Sequence, residues 1–406
     1  IWSWTRDDAF FDQTDQTTLA DAPRSDVSEG RTVREKLREA MRYMEDSLQG
    51  SLGSVLIMDN GMNNTGKPDG HPTNYWDNWP FGYLDSYTNI YYYASLLAMA
   101  EMETHWGNTS RAQELRNRAE TCAQAYSQNF WDPTKGRFIA TIDQDGTKWD
   151  FGGTFHNLEA LAYGLGDTAK ADSVFNWLDG NRTISGDTST GQDIYKWGFA
   201  PRSNTLEIES NGPPFWWFDL NGAINVDSNA EWEEHLENGG AIFYTSYYDL
   251  MARLRWKGPE NALERLNSIV EEFKVDQLRR DPNVWQLGIV GEFPESGLVP
   301  CALVYGFAGL QHKEPGMHIN PALPDSWDYL TIRQIQYADR QLDITVRPSQ
   351  IDIKNANTSG GNMYVDGNII PPGTQSAHQI GSEGIIVTLD PLPGYSNFER
   401  NWQLLR

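Results

Sequence analysis

Ile90-Tyr91-Tyr92-Tyr93-Ala94-Ser95-Leu96-Leu97-Ala98-Met99-Ala100-Glu101-Met102, followed after a short break by residues 111–129, is the stretch on which the fold turns. Its first part is apolar around most of a helix circumference, so it needs neighbours on more than one side. The second part repeats Leu115, Ala119, Cys122 and Tyr126 at helical spacing and is polar elsewhere, so it covers one side only. An inner helix followed by an outer one, repeated along a chain, is what the hairpins of a double-layered helical toroid produce.

The same reading extends outward in both directions. Val33, Leu37, Met41, Met44 and Leu48 fall on one stripe, opened by a Thr32-x-x-Glu35 capping box and expected to stop at Gly50. Ser110-x-x-Gln113 reads as the start of the helix carrying Leu115, and Pro259 as the start of one carrying Leu263, Leu266, Val270 and Phe273. Further helices are expected over residues 86–103, 155–164, 168–178, 241–254 and 297–310. A toroid of six hairpins has twelve helices, whereas about eight emerge and one convincing helix precedes Asp77. Either upstream hairpins are absent from this chain or the count is low.

Past His312 the pattern changes to short β-rich runs at 329–335, 341–346, 350–354, 363–365 and 384–389, with the turn Val365-Asp366-Gly367-Asn368 among them. The expected fold class is therefore mainly α: an (α/α)6 toroid, incomplete at the N-terminus or undercounted, followed by a small C-terminal β-sandwich. The expected boundaries are 1–30 for an N-terminal arm or linker, 31–312 for the barrel and 313–406 for the sandwich.

With 56 Asp and Glu against 32 Lys and Arg, the 406-residue chain carries a formal charge of -24. That charge opposes phosphate backbones and anionic membranes, and no basic cluster offers a local exception, so nucleic acid is not an expected partner. No run approaches the roughly 18 apolar residues of a membrane-spanning helix, so no insertion is expected. Cys122 and Cys301 lie in expected helices without paired spacing and read as buried small hydrophobes or one disulfide. Residues 1–30 lack a charged-then-apolar signal pattern, which fits a leader or upstream segment already absent. An extracellular or periplasmic setting is expected, with the cytoplasm left open.

Aromatic residues make up 12% of the chain, and many stand among Gly and Pro, as in Trp76-Asp77-Asn78-Trp79-Pro80 and Pro213-Pro214-Phe215-Trp216-Trp217. Flat rings suit the apolar faces of sugars, although an aromatic in a long loop equally pins that loop. Glycosidic cleavage takes one carboxylic acid to protonate the leaving oxygen and a second carboxylate to activate water or attack carbon. Asp77, set among Tyr75, Trp76 and Trp79, is the expected general acid, because aromatic neighbours desolvate a carboxyl and raise its pKa. Its other reading is a helix cap, a role that suits Asp85 better.

The second carboxylate is sought in Gly291-Glu292-Phe293-Pro294-Glu295-Ser296-Gly297, a glycine-rich loop before an apolar helix. Glu292 is the expected base and Glu295 its alternative, while one of the two also suits a cap or an arginine pair. Asp187, Asp193, Glu207, Glu209 and Glu237 are other loop carboxylates suited to gripping sugar hydroxyls or taking over a catalytic role. Tyr75, Trp76, Trp79, Arg202, Trp216, Glu237 and Asn238 are the expected substrate contacts.

Tyr75-Trp76-Asp77, then Asn129-Phe130-Trp131-Asp132-Pro133, Glu237-Asn238-Gly239-Gly240 and Gly291-Glu292-Phe293-x-Glu295-x-Gly297, in that order, resemble the catalytic half of trehalases and related glucosidases. The resemblance spans about residues 74–310 and implies an inverting glycoside hydrolase on an (α/α)6 barrel, with the acid of a Trp-Asp motif at Asp77. In that family the base glutamate stands upstream of the Gly-Glu-aromatic loop, whereas residues 275–286 here hold aspartates and no glutamate. The tail Gly316-Met317-His318-Ile319-Asn320-Pro321-x-Leu323-Pro324 is similar to the start of the C-terminal module of α-L-rhamnosidases and of the maltose and kojibiose phosphorylases. In both groups a β-domain and further helices come first, which implies that this chain is a C-terminal portion of a longer protein.

His71, His105, His156, His235, His312, His318 and His378 show no paired spacing for zinc, and neither a phosphate-cradling glycine loop nor a Gly-x-Ser-x-Gly elbow is present. No metal, cofactor or serine nucleophile is expected. The function expected is hydrolysis of an oligo- or polysaccharide glycosidic bond with inversion, Asp77 as acid and Glu292 as base. The other readings are a disaccharide phosphorylase with a phosphate seat at Arg202-Ser203, and a non-catalytic carbohydrate-binding protein on the same fold.

Overall fold

The computed structural model describes residues 2–14, 30–50, 55–57, 83–150, 152–187, 245–274 and 297–391. The helices among them are α1 (Trp2–Thr5), α2 (Val33–Arg42), α3 (Ser86–His105), α4 (Thr109–Phe130), α5 (Thr154–Tyr163), α6 (Thr168–Leu178), α7 (Thr245–Trp256), α8 (Pro259–Lys274) and α9 (Leu298–Cys301). Burial sorts them into two kinds. Every position of α5 from Thr154 to Leu161 is buried, so it has neighbours all round. By contrast α4 buries a single stripe, Ala112, Leu115, Ala119, Cys122, Tyr126 and Phe130, and leaves its other side to solvent.

Packing follows this division. α3 packs on α4 and α5, α5 packs on α7, and α7 packs on α8. The described chain thus forms the pairs α3/α4, α5/α6 and α7/α8, with α3, α5 and α7 as adjacent inner members. The inner helices run the same way. Tyr87 and Phe155, each the second residue of its helix, have ring centroids 5.5 Å apart, and near the far ends Trp256 Nε1 donates to Leu161 O at 2.9 Å.

Local chemistry sets the ends. Thr32 forms the expected capping box, its Oγ1 accepting from Glu35 N at 3.2 Å while the Glu35 carboxylate accepts from Thr32 N at 2.8 Å. α2 then widens over Tyr43–Ser47, where Leu48 N reaches Tyr43 O at 3.1 Å instead of closing a regular turn. The Ser110 start expected for α4 is corrected to Thr109. Asn108 occupies the cap position but its side chain donates to Glu103 Oε2 at 3.2 Å, which leaves the helix end without a side-chain cap.

The helix expected over 297–310 forms as α9 and continues, more widely wound, over Ala302–Phe307, ending three residues short where Gly309 takes a φ of 68° against the chain at Asn320. A Cβ on Gly309 would stand 1.9 Å from Asn320 O, so only glycine fits this crossing.

Short strands join the helices: β1 (Leu84–Asp85), β2 (Trp131–Asp132), β3 (Arg137–Phe138), β4 (Thr141–Ile142) and β5 (Lys148–Trp149). They were not foreseen from the sequence, because two-residue strands carry no periodicity. β1, β4 and β5 form a small antiparallel sheet that leads directly into α3 and closely precedes α5.

The C-terminal region is β6 (Leu310–Lys313), β7 (Gly316–Ile319), β8 (Leu330–Tyr337), β9 (Arg340–Val346), β10 (Gln350–Asn355), β11 (Met363–Val365), β12 (Asn368–Ile370), β13 (Gln375–Gln379) and β14 (Ile385–Thr388). Their two antiparallel sheets, β13-β10-β9-β8 and β12-β11-β14-β7-β6, share one apolar core. Leu342, Ile344 and Val346 enter it from one sheet, and Met317, Ile319, Val365 and Val387 from the other, each by the two-residue alternation of a strand. Asp366 and Gly367 have φ of 46° and 80° at the tight turn between β11 and β12, as a two-residue hairpin loop requires.

Polar contacts tie this region to the helices. Glu314 N donates to Glu101 Oε2 at 3.1 Å, Arg6 pairs with Glu314 at 2.9 Å, and the Trp4 ring lies 4.0 Å from that of His312. No helix among the described residues is long and apolar enough to cross a membrane.

Candidate active site

Asp77, Glu292, Glu295, Asp193, Tyr75, Trp76, Trp79, Arg202, Trp216, Glu237 and Asn238 all lie outside the described residues, as do Glu207 and Glu209. What is described is the ends of the helices that follow or precede these segments in the chain. The segment carrying Asp77 runs into β1, and Asp85, the last residue of that strand, caps α3 by accepting from Thr88 N at 2.7 Å. Asp85 is fully enclosed, and burial pushes its carboxyl up to about 6 against the pull of the Thr88 hydrogen bonds. Asn89 holds the neighbouring strap in place, its Oδ1 accepting from Leu56 N at 2.7 Å.

One and a half turns into the inner helices, a polar cluster is enclosed. Tyr91 is the sixth residue of α3, Glu159 the sixth of α5 and Tyr248 the fourth of α7. With a rise of about 1.5 Å per residue, all three stand roughly 5 to 8 Å below the first residues of their helices. The Tyr91 and Tyr248 hydroxyls are 3.3 Å apart. Ring centroids of Tyr87 and Tyr91 lie 5.1 Å apart, Tyr91 and Tyr163 5.9 Å, and Tyr163 and Tyr248 6.1 Å. Two of these pairs are edge-on and the Tyr163–Tyr248 pair is tilted, and together the rings form an aromatic wall in which the Tyr91 and Tyr248 hydroxyls meet.

Glu159 sits behind that wall with no exposed surface. Neither carboxylate oxygen has a hydrogen bond of good geometry, although the Tyr91 hydroxyl is near enough to favour the charged form. Burial dominates and pushes the Glu159 carboxyl up to about 8, so it is neutral at pH 7. Burial likewise raises Tyr91, Tyr163 and Tyr248, and the nearness of Glu159 raises them further. The sequence held a signal for this residue that its reading passed over: one glutamate in the otherwise apolar run Leu158-Glu159-Ala160-Leu161-Ala162 of a helix with no solvent face.

Asp187 is a correction. It is not available for sugar hydroxyls, because both its oxygens accept from Arg137 at 2.7 Å and Trp177 Nε1 donates to it at 3.0 Å. Its side chain is 1% exposed and that of Arg137 is 0%. Arg137 also binds Asp150 at 2.9 Å, which Lys135 pairs at 2.9 Å, and its guanidinium stacks over Trp177 at 4.6 Å. Burial works against the Asp150 charge, but its two cations outweigh that and hold the carboxyl below the usual range. Asp187 has one cation and feels Asp150, so burial leaves it raised. The cluster is a brace at the entrance to the segment after residue 187.

His156 is a structural residue too: its Nε2 is 2.9 Å from Phe138 O, and burial lowers its pKa to about 4. Cys122 and Cys301 are both free, which rules out the disulfide reading. Among the described residues, no group of three or more His, Cys, Asp or Glu side chains is arranged to hold a metal ion.

Two family models match this chain. Residues 9–190 match the mannosylglycerate hydrolase MGH1-like glycoside hydrolase domain, and residues 310–370 match the C-terminal domain of glycosyl hydrolase family 65. Among solved structures, a sialidase is similar with a TM-score of 0.51 at 14% identity, over 88% of this chain and 31% of its own. A family 78 rhamnosidase from Bacillus sp. GL1 has a TM-score of 0.41 at 12% identity over 79% of this chain and 28% of its own. An α-L-rhamnosidase from Dictyoglomus thermophilum has 0.39 at 11% over 87% and 37%. This chain therefore spans well under half the length of each. A search of curated proteins returns no match. The two matches fall in the order of a glycoside hydrolase domain and then a C-terminal module, in keeping with the likeness of the chain's motifs to carbohydrate-active enzymes.

Proposed function

We propose that this chain is the catalytic barrel and C-terminal module of a glycoside hydrolase that cleaves an oligo- or polysaccharide bond with inversion. The pairs α3/α4, α5/α6 and α7/α8 are then consecutive hairpins of an (α/α)6 toroid. Residues 31–312 form the barrel domain, 313–406 the β-sandwich and 1–30 an arm or linker. An upstream domain of the same polypeptide and an extracellular or periplasmic setting belong to the same reading.

The observation that carries it is the tyrosine-walled cluster around Glu159, at the end of the inner helices onto which the Asp77 segment leads. Glycoside chemistry is served by an aromatic, water-poor site in which burial raises the proton affinity of a carboxyl. The descriptions of both family models, which name glycoside hydrolases, support the class. In this reading Asp77 protonates the leaving oxygen, while Glu292 takes a proton from water as that water adds to the opposite face of the anomeric carbon. Glu295 and Asp193 are the alternatives for these roles. Tyr75, Trp76, Trp79 and Trp216 stack on sugar faces, and Arg202, Glu237 and Asn238 hold hydroxyls. Inversion calls for about 6.5–9.5 Å between the two carboxyls.

The test is sugar release from a panel of di- and oligosaccharides, with the first-formed anomer followed by NMR. Hydrolysis without phosphate is expected, with the anomer inverted. Asp77→Asn should lower kcat by about two to four powers of ten at an unchanged melting point. Full activity of that variant removes Asp77 as the acid, and release that depends on inorganic phosphate replaces the hydrolase reading with a phosphorylase.

A further inference from the structure

Most buried carboxylates among the described residues have a cation beside them or a helix end to cap, and Asp143 accepts from Trp149 Nε1 at 2.9 Å. Glu45 accepts from Arg111 at 2.6 Å, Glu103 from Arg38 at 2.6 Å, and Asp249 from Arg253 at 2.7 Å. Glu159 departs from this pattern: among the described residues, the one neighbour that favours its charge is the Tyr91 hydroxyl. An enclosed acid with neither partner is costly to keep in a fold and marks a site of use.

Resting on the glycosidase reading of this end of the helices, we propose that Glu159 is a positioning residue for a subsite that holds an uncharged sugar ring. Its carboxyl sets the hydrogen-bond direction of the Tyr91, Tyr248 and Tyr163 hydroxyls, against which a sugar hydroxyl is held. A phenol donates one hydrogen bond and accepts others, so two phenols 3.3 Å apart cannot both donate to each other. A third group decides which way the chain of bonds points. A neutral carboxyl donates to Tyr91, which then donates onward. An ionised carboxylate accepts from Tyr91 and reverses the chain.

Exposure separates the roles. Tyr91 and Tyr163 keep exposed surface and Glu159 has none, so a ligand meets the phenols and not the acid. The ligand's charge follows as well. No Lys or Arg is among the groups that act on Glu159, so a uronate or a sugar phosphate placed here would meet no countercharge, whereas a neutral hydroxyl needs none.

The pH behaviour is set by the groups packed around the acid. These are Tyr91 from α3, Tyr126 from α4, Tyr163 from α5 and Tyr248 from α7, each pushed up first by burial and further by Glu159. The phenols stay protonated while Glu159 releases its proton near pH 8. The direction of the hydroxyl chain therefore changes in that range.

The experiment uses the 406-residue chain as wild type, Glu159→Gln, Glu159→Leu and Tyr91→Phe. KM and kcat are measured on uncharged disaccharides and matching glucuronides from about pH 6 to 9.5, and the binding of the same sugars by calorimetry. Wild-type KM for uncharged sugars should rise above about pH 8. Glu159→Gln should flatten that rise. Glu159→Leu and Tyr91→Phe should raise KM at neutral pH about tenfold, the fold-change of one lost buried hydrogen bond, with kcat falling far less than in Asp77→Asn. Tyr91→Phe preserves ring packing and keeps the test open if Glu159→Leu fails to fold.

Wild-type KM and Kd in every variant, a fall in kcat at constant KM, or a preference for glucuronides would overturn the proposal. If the wild type cleaves nothing yet binds uncharged sugars with this pattern in Kd, the hydrolase reading fails and the subsite stands. If it cleaves and no variant differs, the reverse holds. Neither cleavage nor binding removes both.

Discussion

Replacing Glu159 by Gln should make the protein gain stability, relative to the parent, as pH rises from 5 to 7. The folded chain keeps the Glu159 proton up to about pH 8, because burial opposes the charge, whereas the unfolded chain releases it near the ordinary value of 4.5. The stabilisation that goes with this proton is complete below pH 4.5, falls through the window and is gone by about pH 8. Its slope is about 1.4 kcal/mol per pH unit, so the parent loses about 2.5 kcal/mol from this group between pH 5 and 7. Glutamine has no proton to release and avoids the loss. At about 2–4 °C per kcal/mol for a cooperative unit of roughly 200 residues, the melting point of the variant minus that of the parent should grow by roughly 5 to 10 °C over that range. Calorimetric melts of both proteins at pH 5, 6 and 7 and constant ionic strength give this difference directly, and the subtraction cancels Asp85, His156 and every other titrating group. Parallel curves would refute the reasoning: Glu159 would then be charged in the fold, and the pH argument for its subsite would go with it.

Two other outcomes follow from the packing. Arg137→Met leaves Asp187 buried without its cation and Asp150 with Lys135 alone, which should cost about 3–5 kcal/mol and be partly recovered by adding Asp187→Asn. A melting point within about 2 °C of the parent would show that the brace contributes little. A thiol reagent should label Cys301 in the folded chain and reach Cys122 only after unfolding, since Cys122 is buried and burial pushes its thiol up to about 12. Labelling of Cys122 in the native protein would contradict its place in the core.

Much of the helical framework was legible because each helix wrote its own signals into adjacent residues. The residues 168–178 expected for one helix coincide with α6, and the Thr32 capping box and the Asp366-Gly367 turn formed where their residue types demanded. Reading failed where a distant segment had the casting vote. Gly309 ends the α9 region because Asn320 passes against it, and Gly316 sits in β7 because Val387 O lies 2.3 Å from where a Cβ would stand. Neither neighbour is visible from the local run. Asp187 looked free for sugar because its partner, Arg137, lies 50 residues earlier.

The sequence alone marked residues 90–102 as an inner helix and 111–129 as an outer one, since that depends on how much of each circumference is apolar, and it showed that a helical stretch is followed by a β-rich one. It did not reveal which buried acids are neutralised. Glu103 and Glu159 both lie in apolar helices; Arg38 reaches one across 65 residues, and among the described residues no cation reaches the other. A carboxyl's proton affinity is set by the dielectric and the charges that tertiary packing brings within a few ångströms, and that arrangement exists only once the inner helices are side by side.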